Sequence, residues 1–555
     1  MVLINIINSN KLRGGYYTPE LLANFIVSKT VHSKKIRILE PSCGDGKIVI
    51  SLAKRLHTLG ISKNQIHKHL LGIEIDTAEA AMARTNLGEF GVDDPKKIIK
   101  TSEFFSYCEK NLINKVSFGA VVGNPPFLRY QDFPDRIKKL AFKLMSDKGL
   151  KPIGHTNSWV PFLVISSLLL NENGLLAMIV PAQLFQVSYA AETRKFLSNY
   201  YQKLTILTFE KLVFDDILQD IVVLLGERNN SKNKGIRVVE YRDINELKLN
   251  GNKTLEIWND RNNLKPLDHT KDKWTQYFLN TDEILLIRRL REKFQDKICN
   301  EIMNVDIGVV TGRNKYFVLS KEEIEDRGLM ETSKRIVRST SQLKGVRFST
   351  IDLKKIKSDS PSWLFKPSNS PFLEYPQEIQ KYIKEGEKNG ISQGYKCRIR
   401  KKWYIIPSTW VPDAFLLRQV YEYPKIIVNE TDATCTDTIH RIKFNCKGKG
   451  EKIASAFLNS MTLSFSEILG RSYGGGVLTL EPSEAEQLPI PLVNVEKLDI
   501  KRIDRLERKH KINDILDMTD SIILKRGLGL EDWEISSLRN IWKKLRNRRL
   551  NKNTK

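Results

Sequence analysis

The chain has 555 residues, of which 41% are hydrophobic, and its 90 Lys and Arg outnumber 65 Asp and Glu to give a formal charge of +25. That length exceeds what a single core supports and argues for about two to four domains. The basic excess points to a polyanionic partner, or in part to an AT-biased genome, and it excludes a chain charged merely for solubility.

Six scattered cysteines, Cys43, Cys108, Cys299, Cys397, Cys435 and Cys446, show no Cys-x-x-Cys spacing, so neither a disulfide framework nor a zinc site is expected. No apolar run reaches membrane-spanning length and no signal pattern opens the chain. A soluble cytoplasmic protein with no metal is the expectation.

Gly14-Gly15-Tyr16-Tyr17-Thr18-Pro19-Glu20 precedes apolar residues at helical spacing, so Thr18 reads as a helix N-cap with Pro19 at the first helical position. The two tyrosines there line a ligand pocket or serve ordinary packing. Ile36 to Pro41 then reads as a strand, Ser42-Cys43-Gly44-Asp45-Gly46 as a tight loop, and Lys47 to Leu59 as an amphipathic helix. This order brings backbone close to a nucleotide-like ligand, yet only Gly44-x-Gly46 of a dinucleotide fingerprint is present. The flanking Glu40 and Asp45 would repel a pyrophosphate and suit a cationic or amino-bearing ligand.

A second strand, Leu70 to Asp76, ends in acids about one βαβ step later, where a carboxylate suits ribose hydroxyls; Asp76 reads as the cap of the next helix. Ile98 to Phe105 again ends in an acid and aromatics. The fourth run, Phe118 to Val122, stops at Gly123-Asn124-Pro125-Pro126-Phe127, because neither proline can donate to a ladder. The stop leaves two acceptors, the Asn124 side-chain carbonyl and the Pro125 carbonyl, beside the flat Phe127 ring. That set suits a planar amine. Parallel strands end on one rim, so the loop 42–46, Glu74, Glu103-Phe104 and Asn124 to Phe127 should share a crevice. Helix 158–170, strand 174–180, helix 190–200 and strands 203–209 and 221–226 continue the pattern, with Phe214 in the loop between the last two.

With these motifs in place the chain resembles S-adenosylmethionine-dependent DNA adenine-N6 methyltransferases of the gamma class, the TaqI-like type II modification methylases. The residues that carry the resemblance are Gly-Gly-Tyr-Tyr-Thr-Pro-Glu, Leu-Glu-Pro-Ser-Cys-Gly-Asp-Gly, Gly-Ile-Glu-Ile-Asp and Gly-Asn-Pro-Pro-Phe, in that order. Gly46 to Asn124 spans only about two βα units, leaving no room between them for a recognition domain, which must lie C-terminal.

The resemblance implies a Rossmann-like methyltransferase sheet with helices on both faces and a C-terminal mixed α+β recognition domain. It implies S-adenosylmethionine as cofactor. Tyr17, Thr18 and Pro19 would border its methionine moiety, Glu40, Ser42 and Gly44 would hold its amino acid part, Glu74 with Ile75 would take the ribose, and Glu103 with Phe104 the adenine. Asn124, Pro125, Pro126 and Phe127 would form the catalytic turn, with Phe214 as second stacking aromatic. The family commonly has Asp at Glu103 and Tyr at Phe127. The expected reaction is methylation of the exocyclic N6 of an adenine flipped out of double-stranded DNA.

The expected division is a catalytic domain 1–235, a connector 236–300, a target-recognition domain 301–495 and a basic helical segment 496–555. The recognition domain reads as β-rich, with strands within Ile307 to Val318, Trp403 to Pro407 and Lys425 to Val428. Its candidate DNA contacts are Arg313 and Asn314, the cluster Lys396, Arg398, Arg400, Lys401 and Lys402 among Tyr395, Trp403 and Tyr404, and Tyr473-Gly474-Gly475. The terminal helix reads as a second clamp or a solvated end.

A monomer acting beside a separate cognate restriction endonuclease is the expected arrangement. The rival readings are a cytosine-N4 enzyme, a non-catalytic DNA-binding specificity module, a protein-glutamine methyltransferase, and restriction with modification in one chain, for which Pro134-Asp135 lacks a strand-borne partner. Cytosine-C5 chemistry is disfavoured because the turn has no Pro-Cys nucleophile.

Overall fold

The computed structural model describes residues 17–211, 213, 220–229, 234–250, 264–270, 272–294, 298–445, 448–473 and 475–551. The chain divides into two compact units, the first holding 1–281 with 473–475 and 551–555, the second 282–472 with 476–550.

The first unit is built on one sheet. Its strands are β1 (Ile38–Glu40), β2 (Leu70–Glu74), β3 (Ile99–Thr101), β4 (Phe118–Gly123), β5 (Leu170–Pro181), β6 (Lys203–Phe209), β7 (Ile221–Glu227) and β8 (Gly235–Tyr241). Their spatial order is β3-β2-β1-β4-β5-β7-β6-β8. β3, β2, β1, β4 and β5 run parallel, and β7 lies antiparallel between β5 and β6. β1 is buried throughout and β4 everywhere but at the half-buried Gly119, which explains why these short runs are almost wholly apolar, since a parallel strand covered on both faces has no solvent side.

The strand order reverses between β1 and β4. Crossovers through α1 (Lys47–Thr58) and α2 (Thr77–Glu89) carry the chain outward to β2 and β3, while α3 (Trp159–Leu168) carries it the other way, from β4 to β5. Right-handed crossovers in opposite directions place helices on opposite faces of the sheet. At such a reversal the two outgoing loops part and leave a crevice over the strand C-termini. Pairing of Ile38 with Ala120 and Leu39 with Val121 sets the residues after Glu40 alongside Gly123 and Asn124. The approach is close: a Cβ on Gly123 would lie 2.9 Å from Pro41 Cδ.

Two expectations change in this unit. Residues 235–241 are not connector but β8, which pairs parallel with β6 through Lys203 to Phe209, and the buried Trp274 and Tyr277 extend the unit to Thr281. Thr18 does not cap its helix, which runs Glu20–Thr30 with Pro19 at the cap position and no side-chain cap bond.

The second unit holds a five-stranded sheet in the order Arg347–Phe348, Ile426–Asn429, Ala414–Leu417, Ile439–Phe444, Met303–Ile307, and a four-stranded sheet of shorter pieces. The expected strand from Ile307 to Val318 is broken: Ile307 ends the strand Met303–Ile307, Val309 makes one bridge to Thr436, Gly312 takes φ +85, Asn314–Phe317 is one helical turn, and Val318 begins the short strand Val318–Leu319. No strand forms within 403–407. One core joins Tyr316, Phe317, Tyr382, Cys397 and Tyr404. Within it Tyr316 and Tyr382 stack at 4.6 Å, each hydroxyl donating to the other's main-chain carbonyl.

The C-terminal basic segment is neither a solvated end nor a separate body. Its helix Asp532–Asn551 buries Leu538, Ile541, Trp542 and Leu545, and the Arg549 guanidinium is only 2% exposed. Arg549 binds both Glu467 carboxylate oxygens, at 2.7 and 3.1 Å, and the Tyr421 carbonyl at 2.7 Å. Removing one partner of such a pair leaves a buried charge without compensation. Arg549→Met should therefore lower unfolding free energy by about 3–5 kcal/mol, read by urea denaturation.

Candidate functional site

The crevice at the β1/β4 reversal holds a cavity of about 420 Å³. Most of the expected cofactor residues line it: Tyr17 and Thr18 on one side, Glu40, Ser42 and Gly44 after β1, Glu74 and Ile75 after β2, Glu103 and Phe104 after β3, and Asn124 with Pro126 after β4. Pro19 is not among the lining residues.

Gly46, at φ +89, turns the loop into α1, and a Cβ there would lie 2.8 Å from Ala83 Cβ. Glu74 holds that loop in place. Its Oε2 accepts from the Gly44 amide and its Oε1 from the Asp76 amide, both at 2.8 Å. Asp76 caps α2 as expected, accepting from Ala78 and Glu79.

Glu40 is 1% exposed, and its Oε2 is buried without a hydrogen-bond partner among the described residues. Burial, with the negative charges of Asp45 and Glu74 beside it, pushes its carboxyl well above the ordinary range. Burial likewise raises Asp45 and Glu74. A buried carboxylate oxygen with no donor at the end of a cavity is costly unless the group is protonated or a cation completes it.

At the β3 end, Glu103 takes a role that the residue pattern did not foretell. Its oxygens accept from the Phe105 and Ser106 amides at 2.9 and 2.7 Å, capping the helical turn Phe104–Tyr107. Each oxygen keeps a further lone pair. Phe104 is 3% exposed and stacks on Phe162 at 4.9 Å, so the aromatic wall is a pair. Phe162 sits in a helix so uniformly apolar that its sequence does not mark it from its neighbours. Only the fold brings it to the cavity.

The turn from Asn124 to Phe127 is tied down from outside. Ser42 Oγ donates to the Asn124 carbonyl at 3.2 Å. Asn124 Nδ2 donates to Thr18 Oγ1 at 3.3 Å, which decides the edge its Oδ1 presents. Among the described residues no group donates to the Pro125 carbonyl. Phe127 is 9% exposed and does not line the cavity. Phe214 lies outside the described residues, as does Gly474; of Tyr473 only the backbone is described.

In the second unit the basic cluster splits. Arg400 donates to the Val310, Thr311 and Trp403 carbonyls, and Lys402 to the Ser370 carbonyl, so both build the fold. Cys397 and Tyr404 bury the inner side of this segment. On its outer side Lys396, Arg398 and Lys401 stand exposed beside Tyr395 and Ile399, which are 66% and 60% exposed. The Gly312 turn packs on Lys396, which joins the exposed Arg313 to the same surface. Asn314 accepts from Thr311 Oγ1 at 2.5 Å and so closes the turn. Gly475, at φ +94, lies in a tight turn.

A family model described as N-6 DNA Methylase matches residues 3–282, half of the chain. The chain belongs to that family. Its C-terminal half, residues 271–524, matches the model for the C-terminal domain of the type II methyltransferase M.Eco57I. Similar proteins include the type II methyltransferase M.AccI of Acinetobacter calcoaceticus, 22% identical over 93% of this chain and 94% of the relative. M.BanIII of Aneurinibacillus aneurinilyticus is 23% identical over 77% and 80%. Among solved structures, the type IIL restriction-modification enzyme MmeI, determined in complex with DNA, has a similar fold at TM-score 0.58 and 12% identity, covering 95% of this chain and 75% of that one.

This member of the family is an N6-adenine DNA methyltransferase of the type II restriction-modification kind. Family membership decides between the adenine and cytosine readings, and against a non-catalytic module. Among the described residues no helix is long and apolar enough to cross a membrane.

The division of the basic cluster is testable by stability. Arg400→Ala should lower unfolding free energy by about 1–3 kcal/mol because three carbonyls lose a charged donor, while Lys396→Ala, Arg398→Ala and Lys401→Ala should each stay within about 0.5 kcal/mol by thermal or urea melts.

Proposed function

We propose that the cavity at the β1/β4 reversal holds S-adenosylmethionine and that the Asn124 to Phe127 turn holds the target adenine. The observation that carries the first half is the buried, donor-less Glu40 Oε2 beside Asp45 and Glu74, an environment suited to an α-ammonium. Glu74 and Ile75 would flank the ribose, and the spare lone pairs of Glu103 with the Phe104–Phe162 wall would receive the adenine ring. When bound, S-adenosylmethionine supplies an electrophilic sulfonium methyl.

The chain's own part in the reaction is to prepare the amine. N6 of adenine is a poor nucleophile because its lone pair is delocalised into the ring. Asn124 Oδ1 and the Pro125 carbonyl would accept its two hydrogens and favour a pyramidal nitrogen whose lone pair faces the cofactor cavity. The Asn124 tie to Thr18 and the undonated Pro125 carbonyl support this assignment. The base reaches the turn only when flipped from the duplex, and stacking on Phe127, with Phe214 as second aromatic, would contribute about 1–3 kcal/mol per contact.

Arg313, Lys396, Arg398 and Lys401, with Tyr395 between them, are proposed as a phosphate-contacting face of the recognition domain. The chain is proposed to work as a monomer beside a separate cognate endonuclease, a reading supported by relatives whose names are those of methyltransferases.

Asn124→Ala should lower turnover about 10²- to 10³-fold, the scale for losing one aligned charge-stabilising contact, with cofactor affinity retained. Labelled methyl transfer to unmethylated plasmid, digested to nucleosides, checks it. Wild-type rates in that variant would contradict the assignment.

Glu40 predicts a proton coupling. A bound cation favours its carboxylate form, so cofactor binding should release a proton, and affinity should rise with pH from the ordinary carboxylate range up to the raised value of Glu40 and then level off. Calorimetric titration in two buffers of different ionisation enthalpy measures that release. Equal heats in both, with no pH dependence, would remove Glu40 from the ammonium site.

A further inference from the structure

Resting on the reading that Asn124 to Phe127 is the catalytic turn, we infer that Ser158 is a positioning residue for it, acting through its hydroxyl rather than as a helix cap. Pro125 and Pro126 have no amide hydrogens, so the turn cannot be fastened by ladder bonds of its own. Fastening must come from its carbonyls and from the amides that follow.

Ser158 supplies it. The residue is fully buried, and its Oγ donates to the Pro126 carbonyl at 2.5 Å while accepting from the Leu128 amide at 2.9 Å. One hydroxyl thus spans Phe127, gripping the backbone on both sides of the stacking ring. The Ser158 amide donates to the Leu128 carbonyl at 3.1 Å, closing a second link to the same segment. Asn157 extends the grip, its Oδ1 accepting from the Tyr130 amide at 2.9 Å and its Nδ2 donating to the Tyr189 hydroxyl at 2.9 Å.

Ser158 precedes α3, where a serine is expected to cap the helix, yet it makes no side-chain cap bond. The hydroxyl is spent on the turn instead. With the Pro126 carbonyl so occupied and the Asn124 carbonyl held by Ser42, the Pro125 carbonyl is left as the acceptor beside Asn124 Oδ1. Ser158 therefore selects which carbonyl meets the substrate amine and fixes where the Phe127 ring stands.

The test is methyl transfer from labelled S-adenosylmethionine to unmethylated plasmid by the full chain. Ser158→Ala should lower kcat by about 10- to 100-fold, the scale for a misplaced reacting group, with plasmid KM and cofactor Kd within about threefold of wild type. Ser158→Thr, which keeps the hydroxyl, should recover kcat to within about fivefold of wild type. A wild-type protein that leaves the plasmid unlabelled overturns the catalytic reading itself. An active wild type with Ser158→Ala within twofold of its kcat overturns this inference alone. Equal loss of kcat and cofactor affinity in Ser158→Ala, or no recovery in Ser158→Thr, does the same, because either marks packing rather than the hydroxyl as what matters.

Discussion

Two consecutive prolines just after a buried strand remove two backbone donors beside the cavity. The rest of the site is organised by that loss. At its two central residues the turn is rigid in φ and has no amide hydrogens with which to anchor itself, so side chains reaching in from three other places in the chain hold it. Ser42 comes from the loop after β1, Thr18 from the segment before the first helix, and Ser158 from the start of α3. Those three lie on different elements and meet only because β1 and β4 are neighbours while α3 returns over the opposite face. The carbonyl that none of them takes is that of Pro125, the acceptor proposed for the amine.

The cavity beside the turn is charged by the same reversal of strand order. Glu40, Asp45 and Glu74 are carried to one end by β1 and β2, and Glu74 is satisfied by the Gly44 and Asp76 amides. Glu40 has no such donors on Oε2. A charge arrangement of this kind disfavours anions such as a pyrophosphate and suits the cationic group proposed for it.

The second unit follows a different rule. Its many basic residues fall into those that satisfy carbonyls inside the fold and those that point to solvent, and sequence proximity does not sort them. Arg400 and Lys401 are adjacent, yet one holds a loop and the other is exposed. Arg549, at the end of the most basic stretch in the chain, is buried against Glu467. A basic cluster therefore overstates the surface available to phosphates.

The sequence by itself determined the strand-loop-helix order of the first unit, the cavity residues at successive strand ends, and the Asn-Pro-Pro-Phe turn that stops β4, because each depends on local chemistry: apolar runs, glycine at a left-handed position, proline at a strand end. It also placed Asp76 as a cap, for the same local reason. What only the tertiary structure decided are the partners brought from far along the chain. These are Phe162 against Phe104, Ser158 on the turn, Glu103 folded back as a cap, and β8 added to the sheet where a polar stretch read as connector. Periodicity reports which face of an element is apolar; it carries no record of which distant hydroxyl, amide or strand edge arrives to meet it.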